Sequence, residues 1–144
     1  MNSPILVFNQ IHVQMKTGID IVNISNELQD LVNKSNIING TLNATVVGST
    51  GSITTIEFEP GVVEDLERAI TGLAPPHLEY AHEKAWHDGN GHSHVQAALL
   101  GPSVALPVRD GRLTTGTWQQ TVVINHDNRA RKRKVEVTII GTGK

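Results

Sequence analysis

The stretch 41–73, TLNATVVGSTGSITTIEFEPGVVEDLERAITGL, decides the fold. Its first half reads as two strands, 41–47 and 52–58, split by GSTGS. At Pro60, a residue suited to a helix start, the apolar period changes. Val62, Val63, Leu66, Ala69, Ile70 and Leu73 then repeat at helical spacing, and Gly72 and Pro75–Pro76 close the helix. Upstream, Ile5, Val7, Ile11, Val13 and Met15 share one face of a strand whose other face carries Gln10, His12 and Gln14. A second strand at 19–24 leads to a helix capped by Ser25, with Ile24, Leu28, Leu31 and Val32 as its stripe and its end near Asn39–Gly40. Downstream, 76–92 reads as a polar loop, and Ser93 caps a short helix closed by Gly101–Pro102. Strands follow at 103–108, 112–115, 117–125 and 133–140, with RDG and HDNRAR as turns, and read as a β-meander. The order is ββαββα, a loop with a short helix, then strands. It predicts one α+β domain over 1–144: a mixed, largely antiparallel β-sheet with two main helices and a short third.

Composition narrows the function. A chain of 144 residues buries a core without staples. It has no cysteine, which excludes disulfides and thiolate zinc sites and fits a cytoplasmic setting. A net charge of -2 gives no general attraction to nucleic acid or acidic membranes. The few aromatics offer no base-stacking platform. No segment approaches the roughly 20 apolar residues of a membrane span, and the first residues lack the basic region and cleavage site of a signal peptide.

Chemistry concentrates in a few places. His82, His87, His92 and His94 fall within thirteen residues. On an extended backbone the side chains of an H-x-H pair leave the same face, and neutral imidazoles suit zinc, nickel or copper. Asp88 is a further ligand or orients a histidine; the alternative is a surface loop built from turn residues. In GSTGS, successive N–H groups and the hydroxyls of Ser49, Thr50 and Ser52 suit an anion nest, against a plain hairpin. It is not a Walker loop. Glu57 and Glu59 share a strand end, where they bind a cation or handle protons, or are solvated acids ahead of a helix. RARKRK, 129–134, reads as a solvated basic edge or a phosphate contact. Ser103 has no nucleophile elbow around it. Trp118 reads as core or interface.

Three blocks go further: GSTGSITTIEFEPG (48–61), HEKAWHDGNGHSHVQAALLGPSVALPVRDGRLTTGTWQQ (82–120) and INHDNRARKRKVEVTIIG (124–141). On these the chain resembles the YjbQ family, also called the secondary thiamine-phosphate synthase family. The resemblance implies a compact α+β homotrimer dominated by a mixed sheet. It also implies weak thiamine-phosphate synthase activity, joining a pyrimidine diphosphate to a thiazole phosphate with release of pyrophosphate. A divalent metal, zinc in the first instance, is then expected at His82, His92 and His94, with His87 outside the ligand set and Mg²⁺ arriving with substrate. The small phosphorylated substrate would be held by Ser49, Thr50, Gly51, Ser52 and Arg112, with Glu57, Glu59 and Asp88 as catalytic candidates. Gly48–Ser49–Thr50 departs from the common family form, in which a histidine precedes the Thr of this loop. The rival readings are a trimeric binding protein without turnover and a metal-dependent hydrolase using Asp88 or Glu57 as base.

Overall fold

The computed structural model describes residues 3–143. Among these residues, eight strands and four helices follow one another as β1 (Ile5–Met15), β2 (Asp20–Asn23), α1 (Ser25–Ser35), β3 (Asn39–Val47), β4 (Gly51–Glu57), α2 (Pro60–Leu73), α3 (Ala81–Trp86), α4 (Gly91–Leu100), β5 (Ser103–Arg109), β6 (Arg112–Leu113), β7 (Gln119–Asn125) and β8 (Arg131–Thr142). They form a five-stranded sheet in the order β1-β8-β3-β5-β6 and a three-stranded sheet in the order β2-β7-β4. Every pairing is antiparallel, and the α+β class read from the sequence holds.

The three-stranded sheet is the middle layer. Val123 and Ile53 face the larger sheet, in a core with Leu42, Val46, Val137 and Ile139. On the opposite face Val122 and Ile124 pack with Ile21 and Ile70, the latter from α2. Covering both faces explains why β7 reads as the apolar run TVVI rather than an alternation. The larger sheet is covered on one side only, so its strands alternate: Leu42, Ala44 and Val46 are buried while Thr41, Asn43 and Val47 are exposed.

Several boundaries differ from the sequence reading. The last third is not a meander, because β7 leaves β5 and β6 to join the other sheet. GSTGS is not a hairpin, because β3 and β4 also lie in different sheets; it is a crossover at the end of the two-sheet packing. α1 stops at Ser35, where Asn36 takes the left-handed conformation, and Asn39–Gly40 already belongs to β3. Ser25 does not cap α1; its Oγ accepts from Thr121 N–H at 2.8 Å. The stretch read as loop contains α3, and α4 begins at Gly91 with Asn90 as its N-cap residue. No helix among the described residues is long and apolar enough to cross a membrane.

Candidate metal centre

Three segments meet at one end of the molecule: the 48–51 crossover, the turn between α3 and α4, and the 126–130 turn before β8. Glu83 builds the middle one. Its two carboxylate oxygens accept from Gly89 N–H at 2.6 Å and Gly91 N–H at 3.0 Å. Gly89 sits at φ +73°, which a side chain would resist. Asn128 Nδ2 donates to Asp88 O at 2.8 Å and ties this turn to the 126–130 turn.

The result is a cluster of His82, Asp88 and His94, whose ligand atoms all lie within 4.8 Å of one another. In it His82 Nε2–H donates to Asp88 Oδ1 at 3.0 Å, and the His82 and His94 rings stand 4.6 Å apart. The Asn90 N–H bond to Asp88 holds its carboxyl below the usual carboxylate range; slight burial works the other way, and His82 and His94 reinforce the lowering. An ionised carboxylate beside two imidazoles is a donor set that suits zinc. A tetrahedral ion spaces its ligands roughly 3.4 Å apart, so modest rotations of these partly exposed side chains would close the set.

His92 is elsewhere. Residues 91–100 are helical, so side chains two apart diverge by roughly 200° rather than sharing a face. His92 instead lines a cleft of ≈ 660 Å³ with His77, Gln96 and His126. The structure therefore brings together His82, Asp88 and His94, and not the set His82, His92 and His94. His87, left-handed at the end of α3, also lies outside the cluster.

Of the proposed phosphate ligands, Gly51 and Ser49 line a hollow of ≈ 290 Å³ with Gly48, Ala97, Ala98, Pro102 and His94, so this hollow opens beside the cluster. Thr50 and Ser52 are buried and face inward. Thr50 Oγ1 donates to Asp127 at 2.8 Å, and Ser52 Oγ lies 2.7 Å from His126 Nε2. Arg112 of β6 pairs with Arg109 of β5, level with the Asn39 end of β3, whereas the hollow lies past the Val47 end. That separation is roughly 25 Å at the rise of a strand. Glu57 lies six residues along β4 from Gly51, roughly 20 Å away. Glu59 is the N-cap of α2, accepting from Gly61 N–H at 2.9 Å and Val62 N–H at 2.8 Å. The structure thus gathers neither glutamate at the histidines.

Sequence reasoning passed over a buried polar network beneath the site. Asp127 accepts from Thr50, from Asn90 Nδ2, from the Arg129 N–H and from Arg131. Burial alone would raise its pKa; the hydrogen bonds from Thr50, Asn90 and Arg131 more than reverse that. His126 Nδ1 lies 2.9 Å from Gln96 Oε1. Because Gln96 Nε2 donates to Ala74 O, the amide presents its oxygen to the ring. His126 Nδ1 must therefore carry hydrogen, and in the neutral ring Ser52 donates to Nε2. Burial first, then the charge of Arg133 and His92, push the His126 pKa down to about 4. Ser52, His126 and Gln96 imitate a nucleophile–base pair, yet Ser52 is 0% exposed, so no substrate reaches its Oγ. The signal in the sequence was the polar triplet Asn125–His126–Asp127 directly after the apolar run of β7.

A two-sheet α+β protein with two imidazoles and a carboxylate gathered where its crossover and turns meet is the class that fold and site define. The chain matches the family described as UPF0047 protein YjbQ-like over residues 9–142, and it belongs to that family. A UPF0047 protein of Methanothermobacter thermautotrophicus is 31% identical over 140 residues, covering 94% of this chain and 96% of the relative. UPF0047 protein YjbQ of Escherichia coli O157:H7 is 33% identical over 119 residues, covering 82% and 83%. Among solved structures, a YbjQ-like protein of unknown function from Sulfolobus solfataricus P2 superposes with a TM-score of 0.92 at 32% identity, covering 96% of this chain and 99% of that one. A hypothetical protein from Aeropyrum pernix K1 gives 0.87 at 26% identity, covering 94% and 98%.

Proposed function

We propose that this protein is a metal-dependent enzyme acting on a small phosphorylated substrate, with thiamine-phosphate synthesis as the reaction to test first. One observation carries the reading: the His82–Asp88–His94 cluster shares His94 with the hollow lined by Gly48, Ser49 and Gly51. Three protein ligands leave a fourth position open, as catalytic rather than structural zinc sites do. A divalent ion held there would supply positive charge to a departing diphosphate, the main electrostatic demand of joining a pyrimidine diphosphate to a thiazole phosphate. The residues' own part is to hold the ion and to shape a seat for the phosphoryl group; Mg²⁺ would enter with the diphosphate. The protein is expected to work in the cytoplasm. The hydrolase reading is weaker, because Asp88 is used in the cluster and Glu57 is roughly 20 Å along β4 from Gly51 at the hollow. Pyrophosphate release from the two substrates by zinc-loaded protein, abolished in His94→Ala, is the expected result. Zinc-loaded protein that binds the diphosphate without turnover would leave the binding-protein reading in its place.

A homotrimer is part of the proposal. The outer face of the five-stranded sheet carries Phe8 at 70% exposure, with Leu6 and its strand partner Ile140 also exposed. A contiguous apolar patch of this kind favours burial between subunits.

A further inference from the structure

Arg133 projects inward from β8 beneath the 48–51 crossover and is 6% exposed. Its Nη2 donates to Thr50 Oγ1 at 2.6 Å and to Asn125 Oδ1 at 2.7 Å. Both acceptors are neutral, and its Nε is buried with no hydrogen-bond partner. The carboxylate that acts on it electrostatically, Asp127, is bound directly by Arg131 at 2.9 Å. One negative charge therefore serves two guanidinium groups. A buried cation short of countercharge is costly unless something supplies it.

The crossover is built to lie close on this guanidinium. A Cβ at Gly48 would stand 2.6 Å from Nη1, and one at Gly51 3.2 Å from Nε. At Gly48 and Gly51 no side chain stands between the backbone and the charge, and the Thr50 hydroxyl between them accepts from it. The hollow of ≈ 290 Å³ is bounded by the same two glycines, with Ser49 and His94 as its polar lining and Ala97, Ala98 and Pro102 as its apolar walls. No carboxylate lines it among the described residues, so its walls do not repel an anion.

We infer that this hollow is a phosphoryl-binding seat, in which Arg133 supplies the countercharge from behind the Gly48–Gly51 floor while Ser49 and His94 meet the anion at its rim. The seat rests on the proposed function in that His94 belongs to both; its charge comes from the protein and acts without a metal. It also gives Arg133, rather than the distant Arg112, the part of the substrate's cation.

The experiment is a calorimetric titration of inorganic pyrophosphate into metal-free protein. Saturable binding of one anion per chain is expected. Ala98→Glu, at an exposed position of α4 on the hollow's wall, should weaken it about tenfold or more, as should Arg133→Met, with Arg133→Lys between. Arg112→Ala, at the far end of the larger sheet, should leave the metal-free affinity within about twofold. Should Arg133→Met fail to fold, Ala98→Glu still carries the test. Absence of saturable binding, or equal affinity in native protein and Ala98→Glu, overturns the seat. A parallel zinc titration separates the two ideas. Zinc binding without pyrophosphate binding sinks the seat alone; pyrophosphate binding without zinc binding sinks the metal reading and leaves the seat.

Discussion

Two residues of the same type, two positions apart, divide the chemistry of this molecule. His94 stands with His82 and Asp88, and His92 faces the cleft on the other side of α4. His82→Ala and His94→Ala should each cost roughly a hundredfold or more in zinc affinity, while His92→Ala keeps it within a fewfold; elemental analysis of untagged protein and calorimetry read the difference. Protons compete for imidazole nitrogens, so zinc affinity should also fall below about pH 6. His126 gives a separate pH signature. Its folded pKa of about 4 lies below the ordinary 6.5, so the unfolded chain binds the extra proton between those values. Stability from this group is complete above pH 6.5 and drains as pH falls towards 4, by about 3 kcal/mol. Urea unfolding from pH 7 to 4 should show that decline, and His126→Gln should be less stable at pH 7 but flatter below it. A native curve that is level across this window would mean His126 is not held neutral.

At the scale of elements, the hinge of the site is the tight seating of α4 against Tyr80 ahead of α3. A Cβ at Gly91 would fall 2.4 Å from Tyr80 Cβ and 2.7 Å from its Cγ. Gly91→Ala should therefore cost about 1–3 kcal/mol by overpacking and lower zinc affinity with it, since α3 carries His82 and α4 carries His94. Thermal unfolding and zinc titration check both halves. What was legible here depended on period. The stripe of α2 and the alternation of β1 stood out because each has one face in water. The sheet to which each strand belongs was not legible, because β3 and β4 follow one another like the arms of a hairpin and only their partners β8 and β7 reveal the split. The start of α4 was hidden because Gly91, His92 and Ser93 are polar or small, and reading them as extended put His92 in the wrong company. Glu59 was misleading for a related reason: a carboxylate before Pro60 serves equally as reagent or cap, and only the bonds to Gly61 and Val62 decide.

For the whole molecule, the proposed trimer rests on the uncovered face of the five-stranded sheet. If Phe8 and Leu6 are buried between subunits, light scattering at micromolar concentration should give three times the chain mass, and Phe8→Glu should release smaller species. A native monomer would remove the trimer from the proposal. The three blocks that meet at the site, 48–51, 82–94 and 126–133, are far apart in the chain, and their family resemblance rather than their spacing linked them beforehand. The order of the larger sheet carries one more consequence. β8 follows every other strand in sequence yet lies between β1 and β3, pairing Val137 with both Asn9 and Ala44. A nascent chain therefore holds β1 without its hydrogen-bonded partner β8 until β8 emerges, so this sheet cannot be completed by installments during synthesis. Closure of so long a loop predicts refolding in milliseconds to seconds rather than microseconds, and a stopped-flow trace with β1 protected from exchange before β8 would contradict it.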